Sequence, residues 1–311
     1  MTAADAAPLK VGVAGLGVMG RNHARVLSEL REAELVCGFD PDPAVAEAAR
    51  AYGAEPVTDV DAFLDSGLDA AVVATPNRHH AELGCALLDR GVAVLVEKPI
   101  AADLAGARRL IDAAKASGAT LMVGHVERFN PAVETVRRAI ADDDIISIQI
   151  TRVGPFPPRM GEVGVVIDLA VHDIDIIRHL TGSEIVEVQP QLARTRAERE
   201  DTALLQFRTA RGVIAQINTN WVTPYKARIL QVATRQKFVV ADLITRQVSE
   251  YFDYAPDGSY STRMLNTWPS EPLKSELSAF LAAVRDGAPP PVTGEDGLAN
   301  LEVALRCLAS A

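Results

Sequence analysis

The chain runs from a short apolar segment, Lys10-Val11-Gly12-Val13-Ala14, straight into Gly15-Leu16-Gly17-Val18-Met19-Gly20, and then into the helical pattern of Arg21 to Leu30. Strand, glycine turn and helix in that order leave few folds open. The first glycine permits a tight strand-to-helix turn, the second lets backbone approach a ligand closely, and the third lets helix and strand pack together. The free N–H groups of the first helical turn then form an anion site. The same alternation continues for over a hundred residues. Strands are predicted at Lys10–Ala14, Glu34–Phe39, Ala70–Ala74, Ala93–Val96 and Thr120–Val123, with helices over 19–31, 43–52, 77–90 and 103–117. Continuously apolar strands separated by helices specify a parallel sheet covered on both faces.

Beyond residue 144 the pattern changes. After a loop and one helix near 164–181 come extended segments around 185–193, 201–208, 212–220, 227–233 and 236–250, with Arg211-Gly212 as a tight turn. Strands that follow one another without helices predict an antiparallel sheet. Helix returns over 272–286 and 294–310, across the link Ala288-Pro289-Pro290-Pro291. A length of 311 residues suits two domains. The expected division is a dinucleotide-binding domain over 1–125, with 271–311 packing back on it, and an α+β domain over 126–270 for substrate binding and oligomerisation.

Composition narrows the partners. A formal net charge of −10 disfavours nucleic acid. No run of 18 apolar residues is present, and Met1 to Pro8 lacks the basic-then-apolar order of a secretory signal, so a soluble, cytoplasmic protein with no membrane partner is expected. Cys37, Cys85 and Cys307 are odd in number and widely spaced, which reads as reduced, buried thiols.

Three further places carry chemistry. Asp40 ends the second strand about 20 residues past Gly20, where a carboxylate can bond the adenosine ribose and repel a 2′-phosphate, favouring NAD over NADP. The other reading is an aspartate that starts the Asp40-Pro41-Asp42-Pro43 turn. Lys98, in Glu97-Lys98-Pro99, follows a strand at the sheet edge where ligands bind, and Pro99 restricts its backbone. A plain surface lysine is the alternative. Asp168 and His172 stand four residues apart in a helical pattern, on one face. Beside a catalytic pair stand two other readings, a satisfied core histidine and a polar stripe of Asp168, His172, Asp175 and His179 facing water. No ligand set supports a metal there.

Taken together, Gly15 to Gly20, Ala74-Thr75-Pro76-Asn77, Glu97-Lys98-Pro99, the Asp168/His172 segment and Val292-Thr293-Gly294-Glu295-Asp296-Gly297 resemble the Gfo/Idh/MocA family of sugar dehydrogenases over nearly the whole chain. The resemblance implies an α/β fold, a doubly wound parallel Rossmann sheet followed by an α+β domain with an open, mostly antiparallel sheet. It implies Lys98, Asp168 and His172 as catalytic positions. It implies cofactor contacts from Gly15, Gly17, Val18, Met19, Gly20, Asp40, Thr75, Pro76, Asn77, His80, Glu97 and Lys98, and a homodimer or homotetramer. Gly124-His125-Val126-Glu127-Arg128-Phe129-Asn130-Pro131 and Arg152 to Arg159 are similar to a narrower branch, the UDP-N-acetylglucosamine 3-dehydrogenases and related nucleotide-sugar dehydrogenases. Within it His125, Arg128, Asn130, Arg152 and Arg159 join Lys98, Asp168 and His172 as expected substrate contacts.

The expected reaction is oxidation of a secondary sugar hydroxyl, with hydride passing to NAD. His172 takes the hydroxyl proton and Lys98 stabilises the alkoxide, or the two exchange roles. Arg152 and Arg159 suit a diphosphate by their forked donors, and equally read as solvated loop arginines. A free-polyol dehydrogenase acting on an inositol or aldose is the rival enzyme. A dinucleotide-binding regulator without catalysis is the rival of another class.

Overall fold

The computed structural model describes residues 7–157 and 163–310. The chain divides into two compact units, Met1–His125 with Leu273–Ala299, and Val126–Pro272 with Asn300–Ala311.

In the first unit β1 (Leu9–Ala14), β2 (Ala33–Phe39), β3 (Glu55–Val57), β4 (Ala70–Val73), β5 (Ala93–Glu97) and β6 (Leu121–Gly124) form a parallel sheet in the order β3-β2-β1-β4-β5-β6. The order reverses between β1 and β4, the point at which open α/β sheets bind ligands beyond their carboxyl ends. Every residue of β4, β5 and β6 is buried, which is why these strands are apolar on both faces, with Glu97 at the end of β5 the exception. Helices α1 (Val18–Glu29), α2 (Pro43–Ala46), α3 (Val60–Leu64), α4 (His80–Leu88) and α5 (Leu104–Ser117) connect them. Asp103 starts α5 by accepting the Gly106 N–H, and Gly118 ends it at φ 73°. The helix expected over 43–52 is one α turn followed by a 3-10 segment, Glu47–Tyr52, that stops at Gly53 with φ 79°. From the later chain, the Val292 carbonyl accepts the Val123 N–H, and Thr293 pairs with Met122.

The second unit carries α6 (Pro131–Ala139), α7 (Val171–Thr181) and eight strands. These are β7 (Ile145–Val153), β8 (Ile185–Ala193), β9 (Thr202–Thr209), β10 (Ile214–Asn220), β11 (Ala227–Thr234), β12 (Lys237–Asp242), β13 (Gln247–Phe252) and β14 (Ser261–Leu265). Their order is β14-β13-β12-β11-β7-β10-β9-β8, and only β7 with β10 runs parallel. Two expectations change here. Ile145–Val153, read as part of a loop, is a central strand, and 236–250 is a hairpin of two strands that turns with Arg246 at φ 61°. One face of the sheet buries Ile148, Ile150, Leu205, Phe207, Ile217, Leu230 and Val232. On the other, Gln189, Gln206, Gln216, Gln149 and Gln231 stand side by side across five neighbouring strands.

The last long helices are α8 (Pro272–Asp286) and α9 (Gly294–Ala309). Among the described residues no helix is long and apolar enough to cross a membrane.

Candidate active site

Helix α1 begins directly after the glycine turn, with Gly17 at its cap making no side-chain bond and no acidic residue in the first turn. Its leading N–H groups are therefore left for an anion. The three glycines do different work. Gly15 has φ 85°, and a Cβ there would lie 2.7 Å from the backbone of Ala74 and Thr75. A Cβ on Gly20 would fall on the Gly15 carbonyl oxygen. A Cβ on Gly17 would meet nothing within 4 Å. The chain's own packing thus requires Gly15 and Gly20, whereas Gly17 leaves space over the helix end, and Val18 and Met19 are exposed beside it.

Asp40 starts its turn, as one reading of the sequence has it, and also latches the glycine turn. Oδ2 accepts the Leu16 N–H at 3.0 Å, latching the glycine turn, and Oδ1 accepts the Asp42 N–H at 3.1 Å, starting the next turn. After β4, Thr75-Pro76-Asn77 leads through a 3-10 turn, Asn77–His79, into α4. The Thr75 hydroxyl oxygen is buried with no hydrogen-bond partner among the described residues. An orphaned hydroxyl and open space above a free helix end fit a dinucleotide.

Lys98 follows β5, half-exposed between buried Glu97 and buried Pro99, and the Lys98–Pro99 peptide is cis. Glu97 and His80, expected as cofactor contacts, turn their side chains inward and hold loops instead. Glu97 Oε1 lies 2.8 Å from His23 Nε2, and Oε2 accepts the Lys98 N–H at 3.1 Å. Burial alone raises the Glu97 pKa, but the hydrogen bond and charge of His23, with Lys98, hold it below the ordinary carboxylate value. His80 places Nδ1 2.9 Å from the Pro99 carbonyl oxygen and Nε2 2.8 Å from that of Thr75. Burial lowers its pKa, against the pull of both carbonyls and Glu97. His125 ends this unit, buried just past β6.

In the second unit Asp168 lies in a π turn, Val166–Ala170, that opens directly into α7 and His172. The Glu200 carboxylate accepts the Val166 N–H at 3.2 Å and its carbonyl accepts the Val165 N–H at 3.0 Å, capping the turn. Val166, Ile167, Ala170, Val171 and all residues from Asp173 to Arg178 are buried, while Asp168 and His172 are half-buried. The four-residue spacing thus brings acid and imidazole out on the accessible side. π turns within α-helices recur at functional sites. The expected polar stripe is incomplete, because Asp175 is buried and held by Arg128 through two bonds of 2.7 and 2.6 Å, and by Asn300 Nδ2 at 2.7 Å.

Three expected substrate contacts are corrected here. Arg128 is spent on Asp175. Asn130 caps α6 through the Ala132 N–H, and its Nδ2 donates to Glu127 and to the Leu243 carbonyl, each at 3.0 Å. Arg152 is 2% exposed and donates to Asp173 at 2.9 Å and to Glu127 at 2.9 Å. A guanidinium that deep is fixed by its paired carboxylates, not by a diphosphate. Arg159 lies outside the described residues.

Arg228 was not singled out in the sequence. It sits on β11 opposite Arg152, half-exposed, donates to Glu127 at 3.0 Å and feels the charge of Asp168. Burial and Arg152 lower its pKa, with Glu127, Asp173 and Asp168 opposing. The signal was an arginine inside a β-rich run after Tyr225-Lys226. No group of three His, Cys, Asp or Glu suited to a metal exists among the described residues. The three thiols are free, with Cys37 and Cys307 buried, and burial pushes Cys307 up to about 12.

Comparison with known proteins agrees with this architecture. Residues 9–125 match the model of the GFO_IDH_MocA oxidoreductase family with NAD-binding Rossmann fold, and residues 133–240 match the GFO/IDH/MocA C-terminal domain. The chain is 32% identical to inositol 2-dehydrogenase of Rhizobium meliloti (strain 1021), covering 95% of this chain and 94% of the relative. It is 27% identical to UDP-N-acetylglucosamine 3-dehydrogenase of Acidithiobacillus ferrooxidans, covering 96% of each. The solved structure of UDP-N-acetylglucosamine 3-dehydrogenase GnnA from Acidithiobacillus ferrooxidans superposes with a TM-score of 0.91 at 26% identity, over 97% of each chain.

Proposed function

The chain belongs to the Gfo/Idh/MocA oxidoreductase family, and from that premise we propose that it oxidises a secondary hydroxyl of a nucleotide-activated sugar with NAD. The observation that carries the chemistry is the half-buried Asp168 and His172 on the accessible side of one helical segment. Bound NAD supplies the hydride acceptor. The α1 N-terminus and the space over Gly17 take its pyrophosphate, and the Asp40 carboxylate, half-buried at the end of β2, disfavours a 2′-phosphate. His172 takes the hydroxyl proton, as an imidazole does at neutral pH. Lys98 carries the charge that develops on the reacting oxygen. Asp168 orients the substrate.

The nucleotide-sugar reading is supported by the likeness to GnnA over 97% of both chains and by the half-exposed Arg228 of β11, which takes the place of buried Arg152 as the diphosphate contact. A second reading, a free polyol, is favoured by the 32% identity to an inositol dehydrogenase. Incubation with NAD and a panel of nucleotide sugars, inositols and aldoses, followed by NADH absorbance, separates them. NADH from a nucleotide sugar, with UDP competing against the sugar but not against NAD, is expected. Equal rates from free inositol without inhibition by UDP select the second reading, and no NADH from any member removes both.

A further inference from the structure

Glu97 and His23 are 7% and 0% exposed and take no part in the chemistry above. A carboxylate that deep persists only with partners, and each of its oxygens has one. Oε1 lies 2.8 Å from His23 Nε2, and Oε2 accepts the main-chain N–H of Lys98 at 3.1 Å. A third wall is Gly124, where a Cβ would lie 3.3 to 3.4 Å from the Glu97 Cα, carboxyl carbon and Oε2. An ionised carboxylate only accepts, so His23 Nε2 is the donor. His23 Nδ1 is left buried with no hydrogen-bond partner among the described residues. A pair of apolar side chains of this size would fill the same space without stranding a ring nitrogen, so packing alone does not account for the dyad. Its location does. His23 belongs to α1, whose N-terminus is the pyrophosphate site proposed above, and Glu97 is the residue before Lys98. His80 holds the far side of the same turn through the Pro99 carbonyl.

We infer that His23 and Glu97 are positioning residues: the carboxylate grips the main chain of Lys98, and the imidazole ties that grip to α1, so the helix that faces the cofactor sets where the Lys98 ammonium stands. This rests on Lys98 acting at the reacting oxygen, as proposed above.

The test replaces the dyad singly and together. His23→Met and Glu97→Met remove the bond, and His23→Gln retains a donor at the Nε2 position. The double variant, His23→Met with Glu97→Met, exchanges a buried polar pair for apolar volume and so should fold with a Tm close to that of the wild type. Three quantities are measured on the full chain: exchange of the Lys98 backbone amide, NAD affinity and steady-state kinetics. The double variant is expected to exchange the Lys98 amide about 10-fold faster or more, and to lose about 10- to 10²-fold in kcat, the scale of a misplaced reacting group. KM and NAD affinity should stay within about 2-fold, and the double loss should not exceed the larger single loss, as for residues acting as a unit. His23→Gln should recover most of the amide protection and the rate. A double variant that regains wild-type kcat and amide protection overturns the inference, as does a loss that appears in NAD affinity while the Lys98 amide stays protected. Should a single variant fail to fold, the double variant decides alone. Because amide exchange needs no substrate, a wrong substrate assignment leaves that readout standing.

Discussion

The two sheets solve burial in opposite ways. In the parallel sheet every residue of β4, β5 and β6 is enclosed, so consecutive side chains on both faces, Glu97 apart, meet apolar neighbours. In the eight-stranded sheet burial alternates. Leu205 and Phe207 are enclosed, whereas Leu204, Gln206 and Arg208 between and around them are exposed. One sheet is a platform buried on both faces whose strand ends lead into Asp40, Thr75 and Lys98. The other is a single-faced sheet whose buried side holds Arg152, and its unit carries Asp168 and His172. Strand register matters everywhere in both, but residue-by-residue chemistry is free to vary on only one face of the second.

The sharpest way to break this division is through turnover. His172→Ala and Lys98→Ala should each lower kcat by roughly 10²–10⁴-fold, the usual cost of losing an acid–base or charge-stabilising group. A fluorescence titration should find NAD affinity unchanged in His172→Ala. Loss of NAD binding in that variant would show that cofactor work is not confined to the first unit.

Stability comes next. Val94→Ala, Leu95→Ala and Val96→Ala, three neighbours in sequence, should each be costly, with Leu95→Ala losing about 2–5 kcal/mol in urea unfolding. In β9 the effect should alternate: a similar loss for Leu205→Ala, and within about 0.5 kcal/mol of wild type for Gln206→Ala. A large loss at Gln206 in dilute protein would contradict a single-faced sheet.

A smaller contrast lies within the glycine turn. Gly17→Ala should melt like the wild type, since nothing stands near its Cβ, yet weaken NAD by about 10-fold, one RT ln 10 of lost contact. Gly20→Ala should lower the Tm, because its Cβ collides with the Gly15 carbonyl. Equal NAD affinity in Gly17→Ala would move the pyrophosphate elsewhere.

The smallest expected effect is acidic. Burial raises the Glu127 pKa, but Arg152, Asn130 and Arg228 reverse this and hold it below the ordinary carboxylate value. A depressed carboxylate stabilises the folded state above its unfolded pKa of about 4.3, and that contribution is lost as pH falls through the folded value. The Tm difference between wild type and Glu127→Gln should therefore be full at pH 7 and shrink below pH 4. A difference that grows on acidification would reverse the assignment.

The parallel sheet was readable because both faces of its strands are apolar, and Lys98 stands at the strand end where the pattern put it. The strand β7 was hidden by Arg152, a charge on the inward row, and by Ile146, an exposed isoleucine near its start. α3 and β3 are too short for any period to register. Arg128 and Arg152 looked like ligand contacts because nothing local reveals their partners. Asp175 is 47 residues from Arg128, and Asp173 and Glu127 are 21 and 25 from Arg152. Whether an arginine is solvated or entombed is decided by such distant carboxylates, and sequence spacing alone does not supply them.

The π turn at Val166–Ala170 makes the helical segment sensitive to residue count in a way its composition hides. An α-helix advances about 100° per residue, so a turn that accommodates one extra residue resets the phase of all that precedes it against all that follows. Asp168 lies within that insertion and His172 after it. Exchanging the half-buried Leu169 for another apolar residue leaves the residue count intact, whereas removing its codon would wind the segment back into plain α-helix and leave Asp168 three residues before His172, about 60° round the helix from it. At this place the gene tolerates a change of letter better than a change of length.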